Sequence, residues 1–350
     1  MTSKKNILVA PLNWGIGHAT RSIPIINKLI ELNFNPIIAS DGDALKLLRK
    51  EFSKLKCIEL PSYGIQYPKN GLFFKWKIIS LAPKILKAVI KERKIIEKLI
   101  SSEDLSGIIS DNRFGARSKR VPSVFISHQL NVLSGSSTFL SSFLHQKYIN
   151  KFDQCWVPDS KSMSLSYKLS NSSKVKKQQF IGLLSRFKKQ DLPIIYDLLI
   201  VLSGVEPLRT KLEEKLIFEL KKYNGKVLFV KGVISGVQET RTQNNITFYN
   251  FLLSNELEKA INQSELILSR SGYSTIMDLA VLGKKAFFIP TEGQYEQEYL
   301  AKHLRKLKIA PFSTTKNFNI AMLEEVDTYN GFSGSVSEIK SELFNLFHSK

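Results

Sequence analysis

Short apolar runs alternate along the chain with longer stretches whose apolar positions recur at helical spacing. ILVA (7–10) leads into a predicted helix from about 18 to 32, and PIIAS (36–40) into one from about 43 to 50. GIIS (107–110), SVFIS (123–127) and CWVPD (155–159) read as further strands. Strands alternating with helices imply parallel sheets covered by crossover helices. The pattern then restarts. DLLIVLSG (197–204) is an apolar run ending in a small-residue turn, with LRTKLEEKLIFELKK behind it as a helix. KVLFV, ITFYN, ELILS and KAFFIP continue the alternation. NILVAPLNWGIGH and LLIVLSGVEP share one layout of strand, glycine-bearing turn and helix, a weak internal repeat of two Rossmann-like units. The expected organisation is a first domain over 1–184 and a second over 185–334, with the linker near 183–196. A last helix, about 335–347, is expected to pack back on the first domain, so that 335–350 joins it.

One segment departs from this alternation. FFKWKIISLAPKILKAVIKERKIIEKLI (73–100) carries Lys84, Lys87, Lys91, Lys94 and Lys98 on one helical stripe, with Ile85, Leu86, Val89, Ile96 and Ile100 expected opposite. Such a stripe is either a solvated face or, with Phe73, Phe74 and Trp76 at its start, a surface that docks on anionic lipid.

The 350 residues exceed one ordinary core and suit two, and 43% apolar content is enough to fill them. Two distant cysteines, Cys57 and Cys155, provide neither a disulfide framework nor zinc spacing, which suits a reducing cytoplasm. The apolar run after Lys4 and Lys5 is cut by Pro11 and Asn13, so it reads as a first strand and not as a signal peptide. No stretch approaches the roughly 18 to 20 apolar residues of a membrane span. The formal charge of +20 favours anionic partners, although lysine-rich composition alone produces such a value. No nucleic-acid-binding motif accompanies it, so no nucleic acid is expected as a partner.

The candidate chemistry lies at strand ends. NWGIGHATR (13–21) has Gly15 and Gly17 but Thr20 where a dinucleotide fingerprint needs its third glycine. Asp41 ends the second strand at a distance suited to a ribose. His18 follows Gly17 at a strand-to-helix turn. It is either a helix-start packing residue or a general base at the carboxyl edge of the sheet, where open α/β folds bind ligands. Asp111 ends the strand GIIS and is either a turn initiator or the carboxylate that orients His18. His128, Gln129 and Asn131 end another strand with groups suited to a polyhydroxylated ligand, and Asn13 lies in the first loop. ASDGDA contains a D-x-D pair, but it precedes a helix, so a cap is the expected role. In LILSRSGYSTIMDLAVLGKKAFFIPTEGQYEQEYLAKHL (266–304), Ser269-Arg270-Ser271-Gly272 ends a strand and a helix runs from about Tyr273 to a stop at Gly283. The free N–H groups of such a helix start bind phosphate.

This last stretch resembles the donor-binding region of family 28 glycosyltransferases, in particular those adding N-acetylglucosamine in peptidoglycan synthesis. The family has S-R-S-G, a helix with an acidic residue, then a proline followed by two glutamines and an aromatic. Ser269 to Gly272, Asp278, Pro290, Gln297, Glu298 and Tyr299 fill those positions. Asp278 replaces the family's ribose-binding Glu. Glu298 replaces its second Gln, which leaves the sugar open. The family's H-E-x-N resembles His128-Gln129-Leu130-Asn131, its N-P-V-R linker resembles Leu183 to Arg186, and its second glycine-serine turn resembles Ser203-Gly204. The resemblance implies an α/β fold of two Rossmann-like domains facing a cleft, the GT-B architecture. It implies an inverting hexosyltransferase moving a hexose or N-acetylhexosamine from a UDP-sugar to an acceptor hydroxyl. The roles implied are His18 as base and Asp111 as its orienting group. Donor contacts fall to Gly17, Arg186, Ser203, Gly204, Phe251, Arg270, Ser271, Gly272, Tyr273, Ser274, Asp278, Gln297 and Glu298. Acceptor contacts fall to Asn13, His128, Gln129 and Asn131. Phe251 is expected near the uracil, and Arg186 or Arg270 to neutralise diphosphate charge. Backbone donors and cations replace a metal, so neither metal nor cofactor is required. The acceptor is expected to be a lipid or lipid-linked, met at the inner face of the cytoplasmic membrane through 73–100. A UDP-sugar epimerase and a non-catalytic nucleotide-sugar-binding module are the competing readings.

Overall fold

A computed structural model describes residues 4–64, 74–133, 138–161, 164–204, 206–234, 236–334 and 339–348, without the side chains of 74–82 and 140. Phe73 and the side chains of Phe74 and Trp76 therefore lie outside the described residues. The chain divides into two compact units, one built from residues 4–64, 75–184 and 339–348, the other from 185–334.

The first unit runs β1 (Asn6–Pro11), α1 (Gly17–Glu31), β2 (Asn35–Ser40), α2 (Gly42–Glu51), β3 (Cys57–Glu59), α3 (Phe74–Ser102), β4 (Leu105–Asp111), β5 (Ser123–Ile126), α4 (Thr138–Ile149), β6 (Gln154–Val157) and β7 (Gln178–Phe180). Its seven strands lie in the order β3-β2-β1-β4-β5-β6-β7, all pairs parallel. The order reverses between β1 and β4, and the register sets Pro11 beside Asp111, the last residues of both strands. In such sheets ligands bind beyond the carboxyl ends of the strands at a reversal of this kind. The core on one face joins Leu8, Ala10, Ile37 and Ile108 to Ile96 and Ile100 of α3. Ala88, Glu92, Ile96 and Ile100 form the buried stripe of α3 at intervals of four. Leu86 was expected on that stripe. It is instead exposed, as is Ile90, because 100° per residue carries both around toward the lysines.

The second unit runs β8 (Tyr196–Val201), α5 (Leu208–Leu220), β9 (Val227–Val230), β10 (Thr240–Gln243), β11 (Ile246–Tyr249), α6 (Ser254–Asn262), β12 (Ser264–Ser269), α7 (Tyr273–Leu282), β13 (Lys285–Phe288) and α8 (Tyr295–Lys306). The sheet order is β10-β11-β9-β8-β12-β13. The reversal falls between β8 and β12, whose register sets Val201 beside Ser269. Leu198, Leu199, Ile200, Ile267 and Leu268 are fully buried, as central parallel strands covered on both faces must be. The antiparallel edge strand β10 carries no apolar residue and was not anticipated. Gly283 stops α7 with φ +65°, the left-handed conformation in which glycine carries no penalty. Of the helix expected over about 335–347, residues 335–338 lie outside the described residues, and a 3-10 helix spans Ser341–Phe347. Its Phe344 and Phe347 are buried against Trp156 of the first unit.

Candidate active site

The first cluster of site residues is built where β1 and β4 end side by side. α1 starts at Gly17, so His18 stands in its first turn above the end of β1. Its Nδ1 lies 2.8 Å from Asp111 Oδ1. The His18 side chain keeps 15% of its surface exposed, whereas Asp111 is buried. Burial lowers the His18 pKa, Asp111 acts to raise it, and Arg21 lowers it again. Burial opposes ionisation of Asp111, but Arg21 and His18 outweigh it and hold the carboxyl at about 2. Asp111 is thus ionised and His18 neutral at pH 7, a base paired with an orienting carboxylate.

Sequence reasoning missed Arg21, which follows His18 by one helical turn and donates to both Asp111 oxygens. It also missed Arg113. That buried guanidinium donates to Pro11 O at 3.0 Å and pairs with Asp41 and Glu92. Tyr63 donates to Glu92 at 2.7 Å. This second network ties the ends of β1 and β2 to α3. The spacing of three between His18 and Arg21 was the one available signal for the first. Nothing local signals the second, whose partners Arg113 and Asp41 lie 72 residues apart.

Two side chains assigned to the acceptor, Asn13 and Asn131, do structural work in this conformation. Asn13 accepts from Ala44 N and donates to Asp41, both at 3.3 Å, and so holds the start of α2. Asp41 stands at the N-cap of α2 as expected, but its carboxylate is spent on Asn13 and Arg113 and makes no cap hydrogen bond. Asn131 donates to Lys168 O at 2.7 Å and Asn171 O at 2.8 Å and accepts from Gln146 at 3.0 Å, pinning the segment after β6. The Gln129 backbone N–H donates to Ser127 Oγ at 3.1 Å. His128 is buried, with Nδ1 3.0 Å from Arg21 Nη1, and so belongs to the His18 cluster.

The second cluster is built where β8 and β12 end side by side. Ser203-Gly204 follows β8, and Arg270-Ser271-Gly272 follows β12 and opens α7 at Tyr273 and Ser274. Gly272 has the ordinary extended φ of −71°, and a Cβ built on it would meet no atom within 4 Å. No described residue demands glycine there. Ser271 Oγ donates to Gln297 O at 2.8 Å. Gln297 Oε1 accepts from Thr291 N at 2.9 Å, and Glu298 Oε1 from Gly293 N at 3.1 Å, so both side chains brace the loop before α8. Asp278 is buried in α7 and accepts from Ser185 Oγ at 2.6 Å. Burial raises its pKa to about 6, with Arg186 and Ser185 opposing. Arg186 donates to Ser254 Oγ at 3.1 Å and lies over the Phe187 ring.

Two residues expected at the donor lie below the surface. Arg270 is buried and donates to the carbonyls of Ile289 (3.1 Å), Pro290 (3.0 Å) and Leu208 (2.9 Å), so it ties loop ends together below the surface. Burial lowers its pKa to about 10, which leaves it charged at pH 7. Phe251 is also buried, with its backbone N–H taken by Asn250 Oδ1 at 2.9 Å. Among the described residues no group of three His, Cys, Asp or Glu side chains is arranged to hold a metal ion.

Residues 203–327 match the glycosyltransferase family 28 C-terminal domain. Over 290 residues, 78% of this chain and 75% of the relative, the sequence is 27% identical to the UDP-N-acetylglucosamine--N-acetylmuramyl-(pentapeptide) pyrophosphoryl-undecaprenol N-acetylglucosamine transferase of Clostridium tetani. The fold matches that of Acinetobacter baumannii MurG with a TM-score of 0.53, at 14% identity, over 94% of this chain and 93% of that one. It matches the spinosyn rhamnosyltransferase SpnG, complexed with thymidine diphosphate, with a TM-score of 0.63, at 13% identity, again over 94% and 93%. Residues 203–327 are thus similar to the glycosyltransferase family 28 C-terminal domain, and the chain is a glycosyltransferase with the GT-B fold.

Proposed function

We propose that this chain is an inverting, metal-independent hexosyltransferase that moves a hexose or N-acetylhexosamine from a UDP-sugar to a hydroxyl of a lipid-linked or membrane-associated acceptor. The observation that carries the reading is the 2.8 Å contact of His18 Nδ1 with Asp111 at the β1/β4 reversal. With Nδ1 held by the carboxylate, Nε2 takes the acceptor proton. The acceptor oxygen attacks the anomeric carbon from the face opposite the leaving group. The anomeric C–O bond breaks, and its electron pair leaves on the diphosphate. The backbone N–H groups at the start of α7 and the Ser203-Gly204 turn receive that charge, in place of a metal. The empty space in front of Gly272 supports a phosphate there, since ligand approach explains a glycine that the folded chain does not need. Asp278 exchanges Ser185 for a ribose hydroxyl.

The name of the Clostridium tetani relative makes UDP-N-acetylglucosamine and a polyprenyl-diphosphate-linked saccharide the first donor and acceptor to try. The exposed lysines of α3 support an acceptor met at the inner face of the cytoplasmic membrane. No described helix is long and apolar enough to cross a membrane. The test is incubation with labelled UDP-sugars, with and without membrane lipid extract. Label is expected in lipid only when both are present. His18→Ala is expected to keep UDP binding and lose transfer by at least about 100-fold, the usual worth of a positioned base. Equal turnover of parent and variant removes His18 from the mechanism. Conversion of the UDP-sugar without lipid identifies an epimerase, and binding without turnover a binding module.

A further inference from the structure

Arg21 is buried and sits at the centre of the first cluster. Its Nε donates to Asp111 Oδ2 at 2.5 Å and its Nη2 to Asp111 Oδ1. Nη2 also lies 2.8 Å from His18 Nδ1, and Nη1 lies 3.0 Å from His128 Nδ1. A guanidinium only donates, whereas each neutral imidazole has one donor nitrogen and one acceptor. His128 Nδ1 must therefore accept, which puts the His128 proton on Nε2. His18 Nδ1 has two competing neighbours, a carboxylate oxygen that only accepts and the Arg21 nitrogen that only donates. Asp111 Oδ1 already takes the Nη2 proton and has a second lone pair for the Nδ1 proton of His18. That arrangement gives the carboxylate both protons, turns the Nη2 donor from Nδ1 to Asp111 Oδ1, and leaves Nε2 of His18 unprotonated.

We propose that Arg21 is a positioning residue of the transfer reaction: it clamps Asp111 and fixes His18 and His128 in opposite tautomers, which keeps His18 Nε2 open as the base. This rests on the role of His18 proposed above. A carboxylate without Arg21 would draw His18 into the imidazolium form, which cannot take a proton. Arg21 prevents this twice, by neutralising Asp111 and by setting its own charge beside the ring. The groups that act on His18 are Asp111 from β4, Arg21 from its own helix and His128 from the loop after β5. Two of these three pass through the Arg21 guanidinium.

The sign follows directly. Loss of Arg21 favours the imidazolium, so the His18 midpoint rises. The acid limb of kcat/KM, where His18 must be neutral, moves up with it. The experiment is ring ¹⁵N NMR of the ¹⁵N-histidine-labelled full chain against pH, with pH profiles of transfer, for the parent, Arg21→Lys and Arg21→Gln. In the parent, His128 is expected to carry its proton on Nε2 and His18 on Nδ1. Arg21→Gln is expected to raise the His18 midpoint and the acid limb together by about one pH unit or more, mainly at the expense of kcat. Arg21→Lys, which keeps the charge but loses the fork, is expected to shift both by less. A parent His128 protonated on Nδ1, or an unmoved His18 midpoint in folded Arg21→Gln, overturns the proposal. A merely structural Arg21 would lose activity without either shift. Should Arg21→Gln fail to fold, the parent tautomers and the Arg21→Lys titration still decide. The NMR arm needs no turnover, so it stands even where His18→Ala leaves transfer intact and the base reading fails.

Discussion

At the residue scale, Asp278, proposed above to contact the donor, costs stability. Its carboxyl is buried and rises to about 6, against an ordinary value of 3.8. A folded-state pKa above the unfolded one means that the folded protein prefers the protonated form. That preference is fully present below about pH 4 and is lost as pH rises through about 6. A rise of that size corresponds to roughly 3 kcal/mol at most. Asp278→Asn keeps the shape and the acceptor for Ser185 but never ionises. It is expected to raise the stability of the ligand-free protein at pH 8 by roughly 1–3 kcal/mol, a gain that vanishes below about pH 4. Asp278→Ala, which removes the acceptor as well, is expected to weaken UDP and UDP-sugar equally, since the proposed contact is to ribose. Denaturant melts at both pH values and calorimetry with both ligands test this. Weakening confined to the UDP-sugar would place the side chain at the hexose instead. His18, Asp111 and Asp278 were legible in the sequence because each stands at a strand end or on a motif helix. Arg21, Arg113 and Glu92 were not. A charged residue reads as surface unless its partner is known, and here the partners arrive from other strands.

At the element scale, α3 and α4 carry the surface that would meet a membrane. Lys87, Lys91 and Lys94 of α3 are exposed, and Leu86 and Ile90 stand exposed among them. Phe139, Phe143 and Leu144 of α4 are exposed as well. The two helices share one crowd of cations. Burial lowers the pKa of Arg117, and Arg93 of α3 lowers it further. Lys151, just past α4, is lowered by burial and then by Arg117, Lys147 and Arg93. Such like charges repel one another, and an anionic surface relieves the repulsion. Changing Lys87, Lys91 and Lys94 to Gln is expected to weaken binding to anionic vesicles by roughly 3 kcal/mol at low salt, at about 1 kcal/mol per lysine. The difference should shrink as salt brings the screening length to about 8–10 Å. Leu86→Ser with Ile90→Ser is expected to weaken binding with little salt dependence. If the parent stays in the supernatant in vesicle co-sedimentation, the lysines are a solvated face and a soluble acceptor is the better candidate. The elements themselves were readable wherever burial imposes a period, as in α3 or the apolar runs of β8 and β12. β10 was not, because an edge strand of four exposed polar residues has no period to read. The last turn of the chain was misjudged in type for a related reason. Phe344 and Phe347 at a spacing of three serve a 3-10 helix as well as an α-helix.

At the scale of the whole molecule, the two units hold separate cores, and the chain's end belongs to the first. Phe344 and Phe347 are fully buried, Phe344 against Trp156 at a ring separation of 5.3 Å. Phe347 meets Phe34 edge-on at 6.4 Å, and a Cβ on Gly107 would lie 2.2 Å from its ring. Lys5 Nζ donates to the carbonyls of Phe347 at 3.2 Å and His348 at 3.0 Å, so the start of β1 and the chain's end are fastened together. The segment thus completes the core beneath β1 and β4, the strands that present His18 and Asp111. Removing a buried phenyl group costs about 3–5 kcal/mol, through lost transfer energy and an unfilled cavity. Phe347→Ala should therefore lower the unfolding transition of the first unit. The second unit has its own core of Leu198, Ile200, Phe229, Leu268 and Phe287, so its transition should stay where it was. Gly107→Ala should act in the same direction by overpacking, at about 1–3 kcal/mol. The measurement is calorimetric unfolding of the full chain with and without UDP. Nucleotide is expected to raise only the transition that Phe347→Ala leaves alone, since the proposed diphosphate site lies in the second unit. If Phe347→Ala and UDP move the same transition, the two cores unfold as one and the independence argued here fails.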